Sequence, residues 1–229
     1  MVNFVKTSTK IKKIQKRILN GINYRLLKRY INEDQLCILD YGCGAGDTLV
    51  ALSHFNKRFK LTGCDINQEY LNYTKTRISS TINLMSIDEL KKDTDENCQI
   101  YDVVICLQVI EHLYEPSEFY KLCSKILKKD GILFITTPNL GGLAPKIIGE
   151  RWHGYNEEEH VNLYTKTKLE NEIIANNYEI LFSGTSFLSG LPIVRKSPLR
   201  FINDLAYYLF NYQPWDIGDS IAVVAKKKK

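Results

Sequence analysis

The fold is decided by ten residues, Cys37-Ile-Leu-Asp-Tyr-Gly-Cys-Gly-Ala-Gly46. The first five are apolar apart from Asp40 and predict a buried strand. The glycines that follow at alternate positions allow the backbone to turn tightly and to approach a ligand closely. A helix beginning near Asp47 would direct its free N–H groups at that ligand. The stretch therefore predicts a strand, a ligand-binding turn and a helix in succession.

A second signal lies nineteen residues after Gly46, where another predicted strand ends in Asp65. A carboxylate in that position suits the paired hydroxyls of a ribose. The Gly-x-Gly-x-Gly spacing differs from the dinucleotide fingerprint and no Walker-type lysine follows it, which argues against a nucleoside triphosphate. Asp40, just before the first glycine, opposes a pyrophosphate. The pattern favours a ligand that combines a ribose with a cationic amino group.

The rest of the chain alternates between strand and helix patterns, which predicts a parallel sheet with helices on both faces. A helix is expected over residues 9–31, with a break near Asn20-Gly21, and the residues after Ser86 form a polar stretch. The predicted strands are Leu36–Tyr41, Lys60–Asp65, Asn83–Ser86, Tyr101–Leu107, Ile132–Thr136, Glu179–Ser183 and Ser220–Ala225. The other predicted helices are Asp47–Phe55, Glu69–Ser79 and Ser117–Lys128.

The charge is distributed unevenly. Residues 1–32 sum to +9 and Lys226–Lys229 add +4, so that the acidic remainder brings the whole chain to +5. An acidic body disfavours a domain that coats nucleic acid, and it leaves open an anion-facing arm. We therefore divide the chain into a basic helical arm, 1–32, and a second domain, 33–229. The arm is expected either to dock as an amphipathic helix or to attract an anionic acceptor, lipid surface or RNA.

The six cysteines have no Cys-x-x-Cys spacing, so they do not indicate a zinc site. Most lie in apolar runs, which disfavours a disulfide framework and indicates a reducing compartment. The basic N-terminal segment lacks the uninterrupted apolar region of a secretory signal. We therefore expect a cytoplasmic protein.

On these motifs the chain resembles the class I S-adenosylmethionine (SAM) methyltransferases, and within them the ubiquinone O-methyltransferase type. Asp40 and the glycines match the first motif, Asp65 matches the ribose-binding acid, and the likeness continues through Tyr101–His112 and Leu127–Asn139. The resemblance implies an α/β Rossmann-like fold with a seven-stranded, mostly parallel sheet. It also implies SAM as the cofactor and Ser220–Ala225 as an antiparallel last strand beside Glu179–Ser183.

The resemblance also implies the contacts of the cofactor. Asp40 and Gly42 would line its methionine end, Asp65 would hold the ribose and Ile66 would lie against the adenine. Ser86 replaces the family's adenine-contacting acid, so that role is expected of Ile87 and Asp88, while the end of the fourth strand would face the methionine. The expected cofactor-binding residues are Asp40, Gly42, Gly44, Gly46, Asp65, Ile66, Ile87, Asp88, Leu107 and Gln108.

Gln108, Glu111 and His112 follow the fourth strand at a spacing that would place them on one face of a helical turn. Three roles are open: His112 as general base, a divalent metal site, or ordering of the loop. The ubiquinone enzymes hold magnesium with Glu-x-x-Glu-His at this place. Gln108 replaces the first Glu and removes an anionic oxygen ligand, so no metal is expected.

Residues 139–164 form a long connection after the fifth strand, which is expected to cover the acceptor site. Trp152 and Tyr155 would supply stacking surface, and His153 and His160 would supply proton-transfer groups beside a helix capped by Thr165. A helical insertion, 188–218, precedes the last strand. Its aromatic residues leave three roles open: a dimer face, a wall of the acceptor pocket or an interfacial anchor.

We expect a SAM-dependent enzyme that methylates an oxygen or nitrogen of a small, anionic or sugar-like acceptor, with His112, His160 and His153 as candidate catalytic residues. Peripheral membrane contact stays open, and nucleic acid is disfavoured. One alternative is an RNA or protein methyltransferase guided by the basic arm. Another is a non-catalytic module that only binds SAM.

Overall fold

A computed structural model describes residues 23–31, 35–96, 98–156, 159–186 and 212–228. Residues 1–22 and 32 of the predicted basic arm 1–32, and residues 188–211 of the predicted insertion 188–218, lie outside the described residues. The domain boundary at residue 32 stays a prediction. Within the described part of the chain, no helix is both long enough and apolar enough to cross a bilayer.

The elements alternate as the periodicity predicts. The strands are β1 (Cys37–Tyr41), β2 (Lys60–Asp65), β3 (Asn83–Ser86), β4 (Tyr101–Leu107), β5 (Leu127–Pro138), β6 (Tyr178–Ser186), β7 (Tyr212–Gln213) and β8 (Ser220–Lys227). The α-helices are α1 (23–27), α2 (Asp47–Phe55), α3 (Gln68–Lys75), α4 (Ile87–Glu96), α5 (Pro116–Ile126), α6 (Leu143–Ile148), α7 (His153–Asn156) and α8 (Lys166–Ala175). Two short 3-10 helices span Ile110–His112 and Gly149–Arg151.

The strands form one sheet in the order β3-β2-β1-β4-β5-β8-β6-β7. Strands β1 to β5 pair in parallel, whereas β8 pairs antiparallel with both β5 and β6. The order therefore reverses between β1 and β4, and the carboxyl ends of these two strands border the crevice in which open α/β sheets bind their ligands. The Rossmann-like α/β prediction is confirmed, including the antiparallel last strand.

The sheet has eight strands, so the prediction of seven was wrong. The additional strand is β7, in which two residues pair antiparallel with Thr185 and Ser186 of β6 at the edge of the sheet. Two residues are too few to produce a recognisable alternation of apolar and polar side chains. This strand lies inside the segment 188–218 that the sequence analysis assigned to the insertion.

Two apolar layers cover the two faces of the sheet, as the strand alternation requires. One layer joins alternate strand residues to α4, α5 and α8, and the other joins the intervening residues to α1, α2 and α3. Leu26 and Leu27 of α1 are buried in the second layer. The described end of the predicted arm therefore packs on the domain. This agrees with the first of the two predicted roles of the arm, a docked amphipathic helix.

Helix α4 is a correction, since residues 87–96 were expected to be a polar stretch. Its start carries a capping box: the Glu89 amide donates to the Ser86 hydroxyl over 3.1 Å, and a Glu89 carboxylate oxygen accepts from the Ser86 amide over 2.6 Å. Such Ser-x-x-Glu pairs satisfy free N–H groups at a helix start. The capping box was the available sequence signal for this helix.

The described part of the connection 139–164 is attached to the sheet and contains α6, the 3-10 helix Gly149–Arg151 and α7. Its ends meet in a bridge between Asn139 and Tyr164. Trp152 is fully buried, and its indole N–H donates over 3.0 Å to the carboxylate of Asp219, just before β8. Trp152 is thus a structural anchor, and its expected stacking role in the acceptor site was wrong. Tyr155 remains half exposed beside it.

We predict that Trp152→Phe lowers the free energy of unfolding by about 1–3 kcal/mol, because the buried Asp219 carboxylate loses a hydrogen-bond donor. Urea denaturation followed by circular dichroism measures this. Trp215→Phe is the matched control, because Trp215 is 40% exposed. Equal stability of the two variants would contradict the anchoring role.

Candidate functional site

The glycine loop turns at the carboxyl end of β1. Gly42, Gly44 and Gly46 have φ angles of +73°, +48° and +75°, in the left-handed region that glycine adopts without strain. A Cβ on Gly42 would also overlap the side chain of Val109. The loop lies against the end of β2. The carbonyl oxygen of Cys64 accepts hydrogen bonds from the amides of Gly42 and Cys43 over 2.8 and 2.9 Å.

Asp65 connects this loop to the start of α3. One of its carboxylate oxygens accepts from the Gly44 amide and the other from the Asn67 amide, both over 2.8 Å. Each carboxylate oxygen has a further lone pair that can accept from a ribose hydroxyl. Ile66 is 86% exposed beside it, which leaves an apolar surface for an adenine ring. The ribose role of Asp65 and the adenine role of Ile66 stay predictions.

Asp40 lies at the same edge and is only 2% exposed. Its Oδ2 atom has no hydrogen-bond partner among the residues that the structure describes. Burial, reinforced by the nearby Asp65, raises the pKa of Asp40 to about 7. A buried carboxylate of this kind favours a cationic ligand, because the positive charge stabilises its ionised form. This matches the ammonium group expected at the methionine end.

The adenine side is less complete than the sequence analysis expected. Asp88 is exposed on the first turn of α4, whereas the partly buried Ile87 packs against the core. The hydroxyl and the amide of Ser86 are both engaged by Glu89. The adenine roles of Ile87 and Asp88 stay predictions.

Leu107 and Gln108 lie at the carboxyl end of β4. Leu107 lines an apolar depression with residues of α1 and α2. Gln108 has a φ of +57°, and its side-chain amide donates to the hydroxyls of Thr136 and Ser220 over 3.2 and 3.4 Å. It is thus directed at β5 and β8, so the shared helical face with Glu111 and His112 was wrong. Its contact with the cofactor stays a prediction.

A cluster of Glu111, His112 and His160 occupies the edge beside β4. One potential ligand atom from each side chain lies within 4.8 Å of those of the other two. Glu111 is 1% exposed, its Oε2 accepts from the Thr137 hydroxyl over 2.9 Å, and its Oε1 has no hydrogen-bond partner among the described residues. Burial raises the pKa of Glu111, an effect that the Thr137 hydrogen bond and the two histidines oppose.

Both histidines of this cluster contact a backbone carbonyl oxygen through Nδ1. Nδ1 of His112 lies 3.0 Å from the carbonyl oxygen of Glu159, and Nδ1 of His160 lies 3.0 Å from that of Gly154. A carbonyl oxygen only accepts, so Nδ1 carries the proton in each bond and the lone pair of the neutral ring is on Nε2. The ring centroids are 4.8 Å apart. The cluster therefore presents basic nitrogen atoms next to a buried carboxylate.

The magnesium set implied by the resemblance is not assembled. Gln108 is directed at Thr136 and Ser220, and the third member of the cluster is His160. Magnesium prefers oxygen ligands in octahedral geometry, and two imidazoles with one carboxylate do not supply them.

Sequence reasoning predicted Glu111, His112 and His160 separately and did not predict that they meet. Thr137, whose hydroxyl donates to Glu111, lies in the stretch Leu127–Asn139 that carries the resemblance, but no role was predicted for it. The backbone of His153 begins α7, and its side chain lies outside the described residues. Its catalytic role stays a prediction.

Comparison with known proteins identifies the family. A family model described as a methyltransferase domain matches residues 11–182. The chain belongs to the class I SAM-dependent methyltransferases. Its cofactor is SAM, and the loop, Asp40 and Asp65 form the candidate SAM site.

The relatives agree with this assignment. The chain is 37% identical over 172 residues to the ubiquinone biosynthesis O-methyltransferase of Rickettsia bellii (strain OSU 85-389), covering 71% of this chain and 69% of that one. It is 33% identical over 107 residues to the enzyme of the same name from Salmonella paratyphi A, covering 46% of this chain and only 43% of that one. A SAM-dependent methyltransferase structure from Archaeoglobus fulgidus superposes with a TM-score of 0.63 at 18% identity, covering 93% and 94% of the two chains, and supports the fold.

We predict that Asp40→Asn makes the cofactor-free methyltransferase more stable at pH 8 while weakening its binding of SAM. The raised pKa of Asp40 means that its contribution to stability is fully present below the unfolded pKa, near 4, and is lost as the pH rises to about 7. Each pKa unit between 3.8 and about 7 corresponds to about 1.4 kcal/mol, so removing the ionisable group should add up to about 4 kcal/mol at pH 8 and nearly nothing at pH 4. The affinity for SAM should fall roughly tenfold or more, because the ammonium group loses a charged partner.

Thermal unfolding at the two pH values and calorimetric titration with SAM measure these effects. Glu179→Gln, which neutralises an exposed carboxylate on β6 with no predicted role in SAM binding, is the control. An Asp40→Asn variant that binds SAM with unchanged affinity, or that gains no stability at pH 8, would contradict the assignment.

Proposed function

We propose that this methyltransferase transfers the methyl group of SAM to a hydroxyl oxygen of a small-molecule acceptor. The observation that carries the proposal is the Glu111–His112–His160 cluster beside the carboxyl end of β4. A hydroxyl group must lose its proton as its oxygen is alkylated, and the Nε2 lone pairs of the cluster supply a base for that proton. The relatives named above as O-methyltransferases support the same acceptor atom.

The reaction is an in-line displacement. The acceptor oxygen forms a bond to the methyl carbon as the carbon–sulfur bond breaks, and the sulfonium becomes a neutral thioether. The hydroxyl proton passes to Nε2 of His112 or His160. The protein contributes alignment of the two reactants, which lowers the entropic part of the barrier, and the proton acceptor.

Glu111 favours this proton transfer electrostatically. It is buried beside both histidines, so its carboxylate stabilises the imidazolium that forms when either ring accepts a proton. The Thr137 hydroxyl supports the ionised carboxylate through its 2.9 Å hydrogen bond. The carbonyl oxygens of Glu159 and Gly154 each accept from Nδ1, which makes Nε2 the proton-accepting nitrogen of each neutral ring.

The acceptor that fits the charge distribution is anionic. The basic segment 1–32 ends with the exposed residues Lys28 and Arg29, after α1. Helix α1 lines the same depression as Leu107, at the end of β4. The positive charge of segment 1–32 would attract an acceptor bearing phosphate or carboxylate groups. Peripheral contact with an anionic lipid surface follows from the same charges.

The experiment is a methyl-transfer assay with labelled SAM and a panel of hydroxyl and amine acceptors: phosphorylated sugars, phenolic carboxylates and quinols in vesicles. On the best substrate, His112→Ala and His160→Ala should each reduce kcat by roughly 10²- to 10⁴-fold. The dissociation constant for the product S-adenosylhomocysteine should stay within about twofold. His54→Ala is the matched control, because that exposed histidine lies on α2 away from the cluster.

Two results would contradict the proposal. One is retention of full activity by both cluster variants, which would show that no base is required and would favour an amine acceptor. The other is tight binding of SAM with no turnover on any acceptor, which would favour a non-catalytic module.

A further inference from the structure

Helix α3 contacts the glycine loop through Thr74, a residue that belongs to none of the sequence motifs described above. Thr74 is fully buried, and its hydroxyl donates over 2.8 Å to the carbonyl oxygen of Gly44, thirty residues earlier in the chain. Its methyl group fills the space beside Gly46, where a Cβ on that glycine would overlap it. The Thr74 side chain therefore contacts two of the three motif glycines.

Arg77 extends the same contact from the end of the helix. One of its guanidinium nitrogens donates to the carbonyl oxygen of Ala45. The other donates over 2.6 Å to the carboxylate of Asp47, the first residue of α2. Thr74 and Arg77 together hold the carbonyl side of the loop, which we call the α3 latch.

Thr76, the residue that follows the last residue of α3, provides a contrast. Its hydroxyl donates over 2.7 Å to the carbonyl oxygen of Tyr73, in the previous turn, which is the usual local bond of a threonine in a helix. Thr74 instead forms a long-range bond to the loop. The difference assigns Thr74 a role in the geometry of the loop and not in the helix itself.

Both backbone polar groups of Gly44 are consequently hydrogen-bonded to side chains of the segment 65–77. Its amide donates to Asp65 and its carbonyl oxygen accepts from Thr74, both over 2.8 Å. Asp65 and Asn67, which caps α3, belong to the same continuous segment as Thr74. A single stretch, 65–77, thus carries both the ribose-binding acid and the latch that sets the loop at the methionine end.

We propose that Thr74 and Arg77 are positioning residues that hold the glycine loop in the conformation that receives the amino-acid end of SAM. They act through the loop and do not touch the reacting atoms. The proposal concerns the cofactor and is independent of which acceptor is methylated.

Calorimetric titration of the full chain with S-adenosylhomocysteine tests this. Thr74→Val keeps the shape of the side chain and removes its hydroxyl, and should raise the dissociation constant roughly fivefold to tenfold. Thr74→Ser should restore affinity to within about twofold of the wild type. Arg77→Gln, at a side chain that is 28% exposed, should weaken binding about threefold without endangering the core. Thr76→Val is the matched control and should bind normally.

A second ligand separates positioning from general destabilisation. 5′-Methylthioadenosine has the ribose and the adenine of SAM but lacks its amino-acid end. Thr74→Val should therefore weaken the binding of S-adenosylhomocysteine several-fold more than the binding of 5′-methylthioadenosine. Unchanged affinity in both Thr74→Val and Arg77→Gln, failure of Thr74→Ser to restore binding, or equal weakening toward both ligands would each overturn the proposal.

Discussion

The hydrogen bond from the Gly44 amide to the Asp65 carboxylate is the contact on which the candidate SAM site depends. It fixes the glycine loop to the end of β2 at the point where the strand order reverses between β1 and β4. The same carboxylate accepts from Asn67, at the start of α3. The sheet topology creates the crevice, and Asp65 determines how the loop and α3 border it.

Both parts of the site contain a buried carboxylate with an oxygen that has no hydrogen-bond partner among the described residues. These are Oδ2 of Asp40 in the candidate SAM site and Oε1 of Glu111 in the cluster. Burying a carboxyl group in this way lowers the stability of the free protein. Each oxygen lies where the proposed chemistry brings a positive charge: the ammonium of SAM at Asp40 and an imidazolium at Glu111. The two buried carboxylates therefore favour the binding of positive charge and lower the stability of the ligand-free protein.

The sequence predicted the features that are local. Apolar periodicity located β2, β3, β4 and α2 with the bounds that the structure has, and the glycine spacing located the loop. Features that depend on contacts distant in sequence were not predictable. Glu111 and His160 are 49 residues apart and meet only after β5 and the connection 139–164 have folded. Gln108 was misassigned because helical spacing was applied to a residue that ends a strand in the left-handed conformation.

The most direct test of the account is a crystal structure with S-adenosylhomocysteine and the best acceptor from the methyl-transfer panel. The account predicts that the acceptor oxygen lies in line with the sulfur, about 3 Å from the position of the transferred methyl carbon. The same oxygen should lie within about 3 Å of Nε2 of His112 or His160. An acceptor atom separated from the cluster by protein, or a sulfur atom directed away from the carboxyl end of β4, would contradict the account.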